Sequence, residues 1–139
     1  MNRFQEQALQ ADETDNRWEV MARLYCEKLN TLLSTLDIDH ELGAELAVKH
    51  YFNGAAVYAN GAICASWSPV GLAFKLPTDE ADELIAGGQA KPLKYFAKRP
   101  IKKGYVLFDN PESKQQSVLR DYFLKAARLT RESRAENRD

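Results

Sequence analysis

Between Tyr51 and Phe74 the chain carries no Asp, Glu, Lys or Arg, yet turn-forming residues interrupt this run again and again. A membrane span needs about 20 consecutive apolar residues. Asn53, Gly54, Asn60, Gly61, Ser66, Ser68, Pro69 and Gly71 break the run too often for that. Short charge-free stretches between tight turns read instead as buried strands of an antiparallel meander. Asn53-Gly54 and Asn60-Gly61 are hairpin signals, because Asn and Gly both tolerate positive φ. Ser68-Pro69-Val70-Gly71 is a third turn. The strands expected around them are Ala47–Phe52, Ala55–Ala59, Ala62–Trp67 and Leu72–Leu76.

Helical periodicity flanks this block. Trp18, Met21, Ala22, Tyr25, Leu29, Leu32, Leu33 and Leu36 recur at spacings of three and four, which marks one apolar stripe of a helix. Asp15 or Asn16 would cap its start. Pro77-Thr78 opens a short helix with Thr78 as cap. Asp79 and Glu80 suit the positive end of its dipole, and Gly87-Gly88 stop it. Residues 89–103 read as an irregular basic stretch, and Gly104–Phe108 as a last strand. Pro111 starts a second long helix carrying Val118, Leu119, Tyr122, Phe123, Ala126 and Leu129. The expected class is α+β: one antiparallel sheet of about five strands, two long flanking helices and one short helix. Residues 1–15 form an acidic extension, 16–131 a single domain and 132–139 a charged tail.

The 139 residues carry 19 basic and 20 acidic side chains, net −1. That balance excludes a globally basic nucleic-acid binder but hides an asymmetry. Residues 1–45 hold 10 acidic and 4 basic side chains, net −6, whereas residues 89–139 hold 6 and 13, net +7. Cys26 and Cys64 form no CxxC pair, so a zinc ribbon and a thioredoxin-type motif are excluded. Two cysteines make no disulfide framework, and a reducing, cytoplasmic setting follows. The N-terminus lacks the basic start and apolar run of a signal peptide.

No reading by chemistry yields an enzyme. Ser66 and Ser68 lack the Gly-x-Ser-x-Gly elbow. Cys64 and His50 could pair across strands but lack a third group. Asp37-x-Asp39-x-Glu41 resembles the start of a calcium loop, but Leu42 stands where glycine is needed and Val48 where glutamate is needed. No catalytic residue, metal site or cofactor is expected. The strongest local feature is Lys91, Lys94, Tyr95, Lys98, Arg99, Lys102 and Lys103, basic residues with interleaved aromatics and no acidic residue among them. Lysines can neutralise phosphates and aromatics can stack on unpaired bases. The same residues also suit a solvated loop anchored by its aromatics, or a contact with an acidic protein surface, including a second copy of this chain. An open sheet edge would assist a homodimer.

Phe52-Asn53-Gly54-Ala55-Ala56-Val57-Tyr58-Ala59-Asn60-Gly61 resembles the TfoX/Sxy N-terminal domain family, whose Met-Phe-Gly-Gly-x-Gly-hydrophobic-Tyr segment precedes an Asp/Asn-Gly turn. Phe52, Gly54, Val57, Tyr58 and Gly61 match. Leu72-Ala73-Phe74-Lys75 looks like the family's Leu-Tyr-Leu-Lys strand, and Gly104–Phe108 falls at its late Tyr-containing strand. Tyr51, Asn53 and Ala56 depart from the pattern. The resemblance spans roughly residues 17–130 and implies a stand-alone domain with an αβββαββα-like, secretion-chaperone-like fold and no enzymatic activity. It also implies a bacterial regulatory role in competence or transcription, through contact with a cyclic-AMP-receptor-type activator. Direct nucleic-acid binding by the basic segment, residues 91–103, is the alternative, and a small enzyme of unknown class is the less favoured one.

Overall fold

The computed structural model describes residues 13–38, 46–94 and 102–137. Helix α1 (Glu13–Leu36) precedes strands β1 (Leu46–Tyr51), β2 (Gly54–Ala59), β3 (Ala62–Ser68) and β4 (Gly71–Lys75). Helix α2 (Thr78–Ala86), strands β5 (Lys91–Leu93) and β6 (Lys102–Phe108), a 3-10 turn (Pro111–Ser113) and helix α3 (Gln116–Asn137) follow. The six strands form one sheet in the order β1-β2-β3-β4-β6-β5, and every pairing is antiparallel. The fold is therefore α+β.

Several local expectations move. The sheet has six strands rather than five, because β5 occupies part of the stretch read as irregular. A three-residue strand containing Pro92 has no readable alternation, and proline is tolerated there because β5 is a sheet edge. Helix α1 starts at Glu13, so Asp15 and Asn16 lie in its first turns rather than at its cap. Its end has Asp37 in the left-handed region (φ 56°), a position usually taken by glycine, with Asp37 N–H donating to Ser34 O at 3.2 Å. Pro77 rather than Thr78 holds the cap position of α2, with no side-chain cap bond. Pro111 opens a 3-10 turn, and α3 begins only at Gln116.

The Asn60-Gly61 turn forms as expected, with both residues at positive φ (52° and 81°). The preceding hairpin turns one residue early. Its loop is Phe52-Asn53, with Phe52 at φ 53°, and Gly54 already pairs with Tyr51. Gly54 is needed for another reason: a Cβ there would sit 2.3 Å from the Trp67 carbonyl oxygen.

Period-two alternation sorts the strands into two faces. Ala55, Val57, Ala65, Trp67, Leu72, Phe74, Val106 and Phe108 face the helices and join Leu29, Leu33, Leu36, Phe123 and Ala127 in the main core. Phe74 is the centre. Its ring packs edge-on to Phe123 at 4.7 Å and stacks on Tyr122 at 5.6 Å. The other face carries a smaller buried cluster, Ala73, Leu93, Tyr105 and Leu107. Between β2 and β3 a bulge matches Val57 to Ala65 and Tyr58 to Ile63, leaving Cys64 as the extra residue. The bulge lets Cys64 and Ala65, though adjacent, both join the main core.

Candidate functional site

Of the basic residues singled out from the sequence, Lys91, Lys102 and Lys103 lie on paired strands. Lys91 begins β5 opposite Leu107, and Lys102 lies in β6 opposite Leu93. Lys94 and Lys103 are exposed at the strand ends. Tyr95, Lys98 and Arg99 lie outside the described residues, as do Asp39 and Glu41 of the calcium-loop-like segment. Lys91 is engaged: its ammonium pairs with the Asp109 carboxylate. That hydrogen bond, helped by the charge, holds the Asp109 carboxyl below its ordinary pKa.

The fold adds what the sequence did not display. Across all six strands the only charged residues are five lysines: Lys49, Lys75, Lys91, Lys102 and Lys103. Register places three of them on the face turned away from the core. One cross-strand row runs Lys49, Ala56, Ser66, Ala73, Leu107, Lys91. Strands stand about 4.8 Å apart, so the row's end residues are roughly 24 Å apart. Lys75 lies opposite Tyr105, on the same face as Ala73. Lys49 Nζ lies over the Tyr58 ring at 5.2 Å. The middle of the face is closed: Ala56, Ser66, Ala73 and Leu93 are buried. Burial, then the neighbouring Tyr51 phenol and Cys64 thiol, pushes the Tyr105 phenol up to about 12.

A second surface lies on the helical side. Helix α1 and the 3-10 turn border an open groove of about 410 Å³, with Leu24, Leu32 and Trp67 as its apolar lining. Lys28 spans it. Its ammonium lies 4.4 Å from the Trp67 ring centroid, 5.0 Å from that of Tyr25 and 3.5 Å from Glu112 Oε1. Burial, followed by the Glu112 charge, raises the Tyr25 phenol. Leu24 is 45% exposed, and Val20, one helical turn before it, is 52% exposed. At the far end Arg120 Nε donates to Leu36 O at 3.0 Å, placing a cation at the C-terminus of α1. A larger groove of about 570 Å³ between α2 and α3 is bridged by Lys125 and Glu80 at 2.6 Å.

The residues weighed for catalysis are not brought together. His50 sits opposite Ala55, and Ala55 opposite Trp67, so His50 and Cys64 occupy different cross-strand rows. Burial pushes the Cys64 thiol up to about 12, against smaller lowering effects from its own backbone hydrogen bond and Lys75. A thiolate nucleophile needs the opposite shift. Both cysteines are free thiols. Among the described residues no group of three or more His, Cys, Asp or Glu could hold a metal ion, and no helix is long and apolar enough to cross a membrane.

Comparison with protein families, with curated proteins and with solved structures finds no match for this chain.

Proposed function

We propose that this chain is a non-enzymatic regulatory module that binds a protein partner through the groove beside α1. The observation that carries the reading is the outward apolar stripe Val20–Leu24, continuous with the Leu24, Leu32 and Trp67 lining. A partner helix laying apolar anchors into such a groove is a common recognition mode. Lys28 and Glu112 at the rim supply the polar selection. The buried, strongly protonated Cys64 and its separation from His50 argue in the same direction, because they remove the chain's best nucleophile–base pair. The TfoX/Sxy resemblance supplies the setting, a cytoplasmic regulator that contacts a transcription activator. The element order supports that reading, with a helix, a meander, a short helix, two strands and a long helix. The meander has four strands where the resemblance implies three.

The test is biolayer interferometry of the full chain against a purified cyclic-AMP-receptor-type activator from the same organism. Val20→Glu and Leu24→Glu put charge on residues already half exposed, so both variants should keep the wild-type melting curve. Binding that the pair abolishes supports the groove. No wild-type binding, or binding indifferent to both substitutions, overturns the reading.

A further inference from the structure

We infer that the sheet face turned away from the core is a phosphate-binding surface for double-stranded nucleic acid, separate from the groove. The strands hold five lysines and no acidic residue, although the chain as a whole is net −1. This one-signed layer is not visible in the net charge. Lys91 is paired with Asp109, but Lys49, Lys75, Lys94 and Lys103 have no carboxylate partner among the described residues. Lys49, Lys94 and Lys103 are exposed, and Lys75 is half-buried.

The composition of the face decides between an anionic protein and a polyphosphate. Protein interfaces anchor on exposed aromatic and aliphatic side chains, and lysine is depleted from their centres. Among the described residues the exposed large apolar side chains lie elsewhere: Val20, Leu24 and Val118 on helices, Phe52 and Val70 at turns. The face has cations around a closed centre, and its half-buried aromatics are already engaged, Tyr58 by the Lys49 ammonium and Tyr51 edge-on by Phe52. A surface of that kind gains its affinity by releasing counterions from a phosphate backbone. Tyr105 is only 7% exposed, Tyr58 lies under the Lys49 ammonium and Tyr51 packs on Phe52, so no ring on the face is an open stacking platform for an unpaired base. The ligand is therefore a duplex, bound through its backbone without sequence preference.

The experiment is fluorescence anisotropy of a labelled 20-base-pair DNA duplex with the full chain, from 50 to 200 mM salt. Three phosphate contacts, one for each lysine that register places on this face, give a log–log slope of about −2.7, so affinity should fall about 40-fold across that range. Lys49→Glu/Lys91→Glu, the two ends of the cross-strand row, should weaken binding at least tenfold and bring the slope to about −0.9, two contacts fewer. Arg23→Glu/Lys125→Glu makes the same charge change on the helices and should leave the slope at the wild-type value. Thermal melts confirm that both variants fold. Absent wild-type binding, an unchanged slope in the sheet variant, or an equal loss in the helix variant overturns the proposal. So does competition by polyglutamate as strong as by unlabelled duplex, since that would mark an acidic-protein surface.

Discussion

Gly54→Ala isolates the reason for a glycine that the sequence presents as a turn residue. Its Cβ would stand 2.3 Å from Trp67 O, 2.7 Å from Ser68 Cβ and 2.8 Å from Ser68 Cα. Ordinary contact lies beyond about 3.4 Å, so β2 must retreat from β3 by roughly 1 Å at this end. Neither obstacle is the tip of a flexible side chain, so the backbone has to move. Overpacking of this kind costs about 1–3 kcal/mol. Weakening one or two ladder hydrogen bonds around Ala55 and Trp67 adds about 1 kcal/mol each. The expected loss is about 3–4 kcal/mol, or roughly 10–15 °C in melting temperature for a chain of this size. Two other glycines serve as controls. Gly88 has φ +75° with nothing within 4 Å of an added Cβ, so Gly88→Ala should cost only about 1–2 kcal/mol of left-handed strain. Gly87 has φ −82° and a Cβ contact of 3.3 Å with Glu83 O, so Gly87→Ala should be near neutral. Urea unfolding followed by tryptophan fluorescence ranks the three. A Gly54→Ala loss no larger than that of Gly88→Ala would refute the close-approach argument.

Thr130 on α3 is fully buried, and its Oγ1 has no hydrogen-bond partner. Thr130→Val keeps the shape and β-branching while removing an unsatisfied hydroxyl, and should raise stability by about 1–2 kcal/mol in a urea titration. Stability should also decline at alkaline pH. Cys64 in the folded chain titrates near 12 against an ordinary 9.0, so between those values the unfolded chain has lost a proton that the native chain keeps. The stabilisation is complete below pH 9 and is lost at up to about 1.4 kcal/mol per pH unit as pH rises towards 12. Cys64→Ala should flatten the denaturation midpoint against pH between 9 and 10, below the range in which Tyr105, raised from 10.0 to about 12, adds a slope of its own; an unchanged slope there would show that the thiol is not the group responsible.

The meander was legible because its punctuation is local. Asn60-Gly61 forms its turn at the residues the sequence names, since positive φ is a property of those two residues alone. Asn53-Gly54 misled by one position because Gly54 answers to the Trp67 carbonyl on the next strand, a demand no dipeptide can display. The six-strand count was hidden for a similar reason: β5 exists by pairing with β6, not by any alternation of its own. Of the candidate surfaces, the basic stretch near Lys91 could be read from composition. That Lys49 and Lys91 end one cross-strand row could not, because register joins strands far apart in the chain. Nor could the groove. Leu24 belongs to α1, Trp67 to β3 and Glu112 to the turn before α3, and only packing brings them together.

The layering of charge makes one last consequence testable. Glu19 and Glu27 are exposed on α1, on the opposite side of the sheet from Lys49 and Lys75. A helix packed on a sheet puts its outer side chains roughly 20 Å from cations on the sheet's far face. At 0.15 M salt the Debye length is about 8 Å, which leaves under about a tenth of the unscreened interaction. The lysine face then acts on a duplex as though the acidic helix were absent, and the two surfaces work independently. Below about 0.02 M the Debye length exceeds 20 Å, and the helix carboxylates begin to repel the same phosphates the lysines attract. The anisotropy log–log plot should therefore bend and flatten at the low-salt end. Glu19→Gln/Glu27→Gln should straighten it while leaving the slope above 0.05 M unchanged. A wild-type plot that stays linear down to 0.01 M would mean that the duplex does not feel the helical side, and the two-layer electrostatic argument would fail.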